Sequence, residues 1–171
     1  MKLQFKEQNF QVQAVEAVVN CFKGQALKTN RFTLERSKDL LKKAKQVAAG
    51  ITQTEAFENE VLEDIGYRNS SVQISENQLL NNIQEVQKSN DLHESQKIER
   101  PSGVKLGYNL TIEMETGTGK TYTYIRTMYE LQRKYGWSNF IIIVPSSAIR
   151  EGVFKSFEVT QDHFQELYGH K

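Results

Sequence analysis

The stretch Asn109–Thr127, NLTIEMETGTGKTYTYIRT, constrains this chain more than any other. Leu110, Ile112 and Met114 alternate with Thr111 and Glu113, a period that predicts a short strand. Gly117 and Gly119 break the alternation, Lys120 and Thr121 follow, and Tyr122 to Lys134 has helical spacing. A triphosphate has to be held where several backbone N–H groups converge, and the first turn of a helix supplies such groups at the positive end of its dipole. Glycine allows backbone angles and a close approach that a Cβ would block. Lys120 can place its ammonium between the β- and γ-phosphates, and the Thr121 hydroxyl can ligate Mg²⁺. Thr116, Gly117, Thr118, Gly119, Lys120 and Thr121 are therefore the predicted phosphate-binding residues. The usual pattern G-x-x-x-x-G-K-[ST] begins with Gly, where this chain has Met114. The bland alternative is an ordinary glycine turn with a surface lysine. Such a turn needs neither a strand before it nor a helix after it, and both signals are present.

The 171 residues, 38% hydrophobic and 25% charged, suffice for one domain with a real core. A net charge of +1 gives no general case for nucleic acid, so any such contact has to come from a local patch. The single cysteine, Cys21, excludes an internal disulfide and suits a reducing cytoplasm. No apolar run approaches the roughly 20 residues of a membrane span, and the N-terminal MKLQFKEQNF lacks the apolar core of a signal peptide.

Leu3 and Phe5 suggest a short extended piece, followed by a helix with Val15, Val18, Val19 and Phe22 on one stripe and Asn9 as its cap. Gln11 either is solvated or reads an adenine edge, which an amide can do because it both donates and accepts. Residues 24–107 read as a mainly helical insertion. Leu34 to Ala49 is one predicted helix, stopped by Gly50, with Lys38, Lys42 and Lys45 on a polar stripe that is a solvated face or a contact for DNA or a partner. Ser75 to Lys88 is another, with Ser75 and Gln78 at capping-box spacing. Residues 89–103 are a polar linker. Beyond the glycine loop, Tyr124, Ile125, Met128, Leu131 and Tyr135 are expected to face inward, and Gly136 to close the helix. Phe140 to Val144 is a continuous apolar run, which predicts a strand buried on both faces of a parallel sheet. Pro145 ends it, Ser146 and Ser147 can cap a helix starting near Ala148, and Thr160 can cap a last short helix to Tyr168. Strand, helix, strand, helix with the loop after the first strand is an α/β, RecA-like arrangement. Its expected extent is residues 1–23 and 108–171, with 24–107 inserted.

Three pieces stand in order: Phe10 to Val15, Met114 to Thr121, and Ile143 to Gly152. They resemble the adenine-reading motif, motif I and motif Ia of superfamily 2 helicases and translocases. METGTGKTY, followed by IIIVPSSAIREGVFKSFEVTQDHF, is more specifically similar to the restriction (Res) subunit of type III restriction–modification enzymes, as is ISENQLLNNIQEVQ within the insertion. The resemblance implies a fold of two RecA-like domains, ATP and Mg²⁺ as cofactors, DNA as the track, and a modification methyltransferase (Mod) subunit as partner. By residue match, Gln11 would read adenine, and Lys120 and Thr121 would hold phosphates and Mg²⁺. Pro145, Ser146 and Ser147 would line the DNA backbone, positioning the strand without reading its sequence.

The sequence departs from that family in having no apolar strand ending in Asp-Glu-x-His, no arginine motif of a second RecA domain and no nuclease acid cluster; Glu63-Asp64 follows a polar stretch and is not a candidate. The expectation is a front part of the first RecA-like domain, truncated before motif II, with no complete catalytic set. Two other classes stay open. One is a P-loop enzyme such as a nucleotide kinase, which has no need of VPSSAIREG after its loop. The other is a non-catalytic interaction module that binds a partner through the insertion.

Overall fold

The computed structural model describes residues 5–28, 30–33, 65–103 and 107–169. Leu3, the predicted helix from Leu34 to Ala49 with Lys38, Lys42 and Lys45, and the Glu63-Asp64 pair lie outside them. Among the described residues, four helices carry the fold: α1 (Asn9–Asn20), α2 (Glu76–Ser89), α3 (Lys120–Tyr135) and α4 (Ser147–Tyr168). A two-stranded antiparallel pair, β1 (Asn30–Thr33) with β2 (Ile65–Arg68), is aligned Asn30 to Arg68 and Thr33 to Ile65.

The helices stand in a row, α2–α1–α3–α4, each packed on the next. Spacing explains the centre of the row. Val15 and Val19, one turn apart on α1, meet Leu131, Tyr135 and Trp137. A polar lock closes this seam: the Tyr135 hydroxyl donates to the Val19 carbonyl at 2.9 Å, so the ring is buried without an orphaned oxygen. On the other side of α1, Cys21 joins Ile74, Leu79 and Ile83, and Phe22 and Val72 touch both clusters. Residues 69–74 and α2 therefore share a core with α1. Their docking rests on side-chain amides as well as apolar area. Asn82 donates to the carbonyls of Cys21 and Lys23 at 3.1 and 2.9 Å. Gln25 donates to Ser71 and accepts from the Gln73 N–H. Asn69 accepts from the N–H groups of Ser138 and Asn139 and donates to the Asn139 carbonyl.

Helix ends follow the expected chemistry at three places. The Ser75 hydroxyl accepts from the Gln78 N–H, Ser146 does the same for Ile149, and Gly136 closes α3 in the left-handed region. Two expectations fail. Asn9 is already helical, Gln8 occupies the cap position, and no side chain caps α1. Thr160 does not start a new helix: α4 runs unbroken through it, because its hydroxyl donates to the Ser156 carbonyl one turn back at 2.7 Å and so causes no break.

The larger correction concerns the parallel sheet. Residues 107–115 and 137–144 are extended, yet among the described residues neither is in a ladder, and the only strand pairing is β1 with β2. A strand's hydrogen bonds come in a ladder from its neighbours, and here only isolated bonds are made: the Asn109 N–H to the Glu99 carbonyl, and Asn69 to Ser138 and Asn139. The run Phe140–Val144 is consequently not buried on both faces. Ile141 and Ile143 are 91% and 90% exposed, while Phe140 and Ile142, pointing the other way, are 37% and 39% exposed. The period-two alternation of a strand is there without the sheet.

Candidate functional site

The glycine-bearing turn forms where the sequence places it. Gly117 and Gly119 have φ of 84° and 85°, and Gly119 is the N-cap of α3. A non-glycine residue in this left-handed region is strained. The turn is tightened by Thr118, whose N–H and hydroxyl both bond the Glu115 carbonyl, at 3.4 and 2.6 Å. Lys120 folds back over the turn, its ammonium donating to the carbonyls of Met114 at 2.8 Å and Glu115 at 3.0 Å. Both are carbonyls of the segment leading into the loop, and Lys120 is the first residue of the helix leaving it.

Gln11 reaches the same turn from α1. Its Nε2 donates to the Thr118 carbonyl at 2.8 Å, across 107 residues of sequence. A Cβ on Gly119 would stand 2.5 Å from that nitrogen, so it would displace the Gln11 amide, and the φ of Gly119 favours glycine in any case. A Cβ on Gly117 would meet nothing within 4 Å, leaving open space over the first half of the turn. The structure thus brings Gln11 together with Thr116–Thr121. Phe10, half-exposed beside Gln11, helps line a groove of about 860 Å³ between α1, α2 and residues 109–115, which borders the turn at Glu115 and Thr118.

Pro145, Ser146 and Ser147 are exposed at the start of α4, and Ser146 spends its oxygen on capping. Among the described residues, α4 grips the rest of the molecule through α3 and Phe5, mainly by its last two turns. His163 lies about 25 Å along the helix axis from Ser146 at 1.5 Å per residue.

Sequence reasoning missed the polar and aromatic group where α4 meets the first turns of α3. Tyr122, directly after Thr121, places its hydroxyl 2.9 Å from His163 Nε2. Its ring stacks on Phe164 at 5.3 Å, and Phe164 stacks on Tyr129 at 4.9 Å. Arg126, one turn on, pairs with Glu7 at 3.2 Å and donates to the Tyr122 hydroxyl at 3.4 Å. Phe5 packs on both Tyr122 and His163. Burial, reinforced by the charge of Arg126 and opposed by Glu7 and Glu166, pushes the His163 imidazole below its ordinary range. Burial pushes the Tyr122 hydroxyl up, against the pull of Arg126. At the end of the seam, burial and a hydrogen bond to Glu130 push Tyr168 up to about 12. The signal in the sequence was the spacing of Tyr122 and Tyr129, two turns apart on one face.

Chemically, the site offers a lysine ammonium, a threonine hydroxyl and a helix N-terminus beside a glycine turn. That set suits a polyphosphate. Among the described residues, no group of three His, Cys, Asp or Glu side chains could hold a metal by itself. The Thr121 hydroxyl is an oxygen donor of the kind Mg²⁺ takes beside phosphate oxygens.

Glycine turn, lysine and helix N-terminus together have the form of a phosphate loop. Over residues 4–169 the sequence matches the family described as type III restriction enzyme, res subunit, and the chain belongs to that family, which has a helicase-like P-loop fold. It is 38% identical to the type III restriction-modification enzyme EcoP15I Res subunit of Escherichia coli over 103 residues, 58% of this chain and 10% of that protein. It is 48% identical to the StyLTI Res subunit of Salmonella typhimurium over 62 residues, 35% of this chain and 6% of that protein. The EcoPI Res subunit of Escherichia phage P1 is 36% identical over 103 residues, 58% of this chain and 10% of that protein. The matched stretches are thus a tenth or less of the length of these curated relatives. No helix among the described residues is long and apolar enough to cross a membrane.

Proposed function

We propose that this chain is the ATP-binding front part of a DNA-translocating type III restriction subunit, working in the cytoplasm with a Mod methyltransferase subunit. The observation that carries the reading is the Lys120 ammonium held on the Met114 and Glu115 carbonyls, beside two left-handed glycines at a helix N-terminus. A bound triphosphate gives that ammonium charged oxygens in place of neutral carbonyls, a stronger pairing. The N–H groups of Thr116–Thr121 cradle the phosphates, and Thr121 faces Mg²⁺. Gln11 uses one N–H on Thr118, leaving its carbonyl oxygen and second N–H for an adenine edge. Pro145, Ser146 and Ser147 form the DNA-backbone contact. No residue of this chain is assigned as the carboxylate that completes a Mg²⁺ site or orients water, so the chain alone binds ATP without appreciable turnover.

The test is ATP affinity by fluorescence titration. Lys120→Ala should weaken binding at least tenfold, about 1.4 kcal/mol; unchanged affinity sinks the reading. The unmutated chain should prefer ATP to GTP, and Gln11→Ala should remove a preference worth roughly 1–3 kcal/mol while sparing the phosphate contacts. Equal affinity for the two nucleotides from the outset would make Gln11 a brace for the loop and nothing more.

A further inference from the structure

We infer that Tyr122 and His163 are positioning residues that couple the exposed start of α4 to the phosphate loop. The inference rests on the functional reading above, in which nucleotide occupies that loop and the DNA backbone touches Pro145–Ser147.

Among the described residues, the ring contacts and hydrogen bonds that tie α4 to the rest of the molecule lie toward one end. Tyr122 meets His163 and Phe164, Tyr129 meets Phe164 and Tyr168, and Glu130 meets Tyr168. As α3 advances from 122 to 130, α4 advances from 163 to 168, so the two run in parallel. The earlier half of α4 therefore projects past the first turn of α3, on the side of the phosphate loop. That half is largely exposed, Phe154 to 58%. The segment leading into it, residues 140–144, is exposed and unpaired by any ladder among the described residues. Among the described residues, a displacement at Pro145–Ser147 reaches the rest of the molecule through the seam of α4 with α3 and the contact of Phe5 with His163.

The first α3 residue on that route is Tyr122, which follows Thr121 directly and shares a helical turn with Lys120. Its hydroxyl can donate to neutral His163 while accepting from Arg126, and Arg126 is fixed in turn by Glu7. Phe5 covers both partners. The ring stack on Phe164 holds the helices together, and the hydroxyl–imidazole bond sets their register. A rotation or slide of α4 must break that bond or carry Tyr122 with it, and Tyr122 carries the backbone of the loop's last residues. Two positions of the helix thus present two arrangements of the phosphate site, which coupling between ligands requires.

The test uses the full chain, a fluorescent ATP analogue and a fluorescein-labelled single-stranded oligothymidine, each titrated alone and with the other saturating. In the unmutated chain each ligand should change the affinity for the other by the same factor, roughly fivefold or more. Tyr122→Phe keeps the ring stack, and His163→Ala removes the acceptor. Both should bring the factor close to one with each separate affinity held within about twofold, and His163→Gln, which restores an acceptor, should recover part of the coupling. An unchanged factor in Tyr122→Phe overturns the inference, as does loss of both separate affinities, which would make the pair merely structural. Binding of both ligands without coupling in the unmutated chain overturns it while leaving the functional reading intact. Binding of neither ligand fails the functional reading, and the inference falls with it.

Discussion

Residues 109–135 and 140–168 are built alike: an extended apolar stretch, a turn, then a helix with a defined cap. They live in different surroundings. The first turn is braced from α1 by Gln11 and from its own helix by Lys120, and its helix is packed on both sides, by α1 and by α4. The second turn is capped only by its own Ser146, and its helix is packed on one side near one end. Among the described residues neither extended stretch is in a ladder, but 109–115 has α1 and α2 across a groove, whereas Ile141 and Ile143 are exposed. The rigidity of the first unit is therefore borrowed from distant parts of the chain, and the second unit has little to borrow from.

The sharpest way to break this comparison is to remove apolar bulk from each unit in turn. Phe164 is 1% exposed and sits between Tyr122 and Tyr129. Phe164→Ala should destabilise the chain by about 3–5 kcal/mol, read from the urea midpoint. Ile143→Ala, at a larger distance from any core, should stay within about 0.5 kcal/mol. Similar losses for the two would mean that residues 140–144 are packed in solution.

Glycines sharpen the contrast at smaller magnitude. Gly119→Ala forces a left-handed alanine against the Gln11 amide and should cost about 1–2 kcal/mol, along with nucleotide affinity. Gly152 is helical, within α4, and an added Cβ would meet nothing within 4 Å. Gly152→Ala should therefore stabilise by about 0.5–1 kcal/mol. Thermal unfolding of the two variants checks both signs.

The smallest effect is a pH dependence at the junction of the two units. His163 titrates below its unfolded value, so the folded chain favours the neutral ring. Its contribution is complete above the ordinary histidine pKa and is lost as pH falls from there through the lowered folded value. Urea midpoints should decline over that window, and His163→Gln should flatten this part of the profile. An unaltered slope in the variant would assign the decline to other groups.

What could be read in the sequence divides along the same line. The phosphate loop, the caps at Ser75 and Ser146 and the stop at Gly136 are local: each depends on a few adjacent residues whose chemistry fixes the backbone. The parallel sheet was expected from apolar runs alone, and a run states that a strand wants partners without naming any. Inward faces were half legible. Ile125, Leu131 and Tyr135 are buried, but Tyr124 and Met128 are only partly so, because α3 divides its surface between two neighbours. The braces made by Gln25, Asn69 and Asn82 left no pattern to find, since one amide bonding a distant carbonyl has no period.

Cys21 gives the molecule an internal gauge. It is the sole thiol of the chain, 7% exposed where α1 meets Ile74 and Leu79, with its S–H directed to the Ala17 carbonyl. Burial pushes the thiol up, against a smaller opposing hydrogen bond, so little thiolate is present while the core is shut. When the core recloses faster than an alkylating reagent attacks, the reagent reacts in proportion to the fraction of molecules in which this core is open. Because the thiol lies away from the seam with α4, the reaction gauges the opening of one half of the row without reporting on the other.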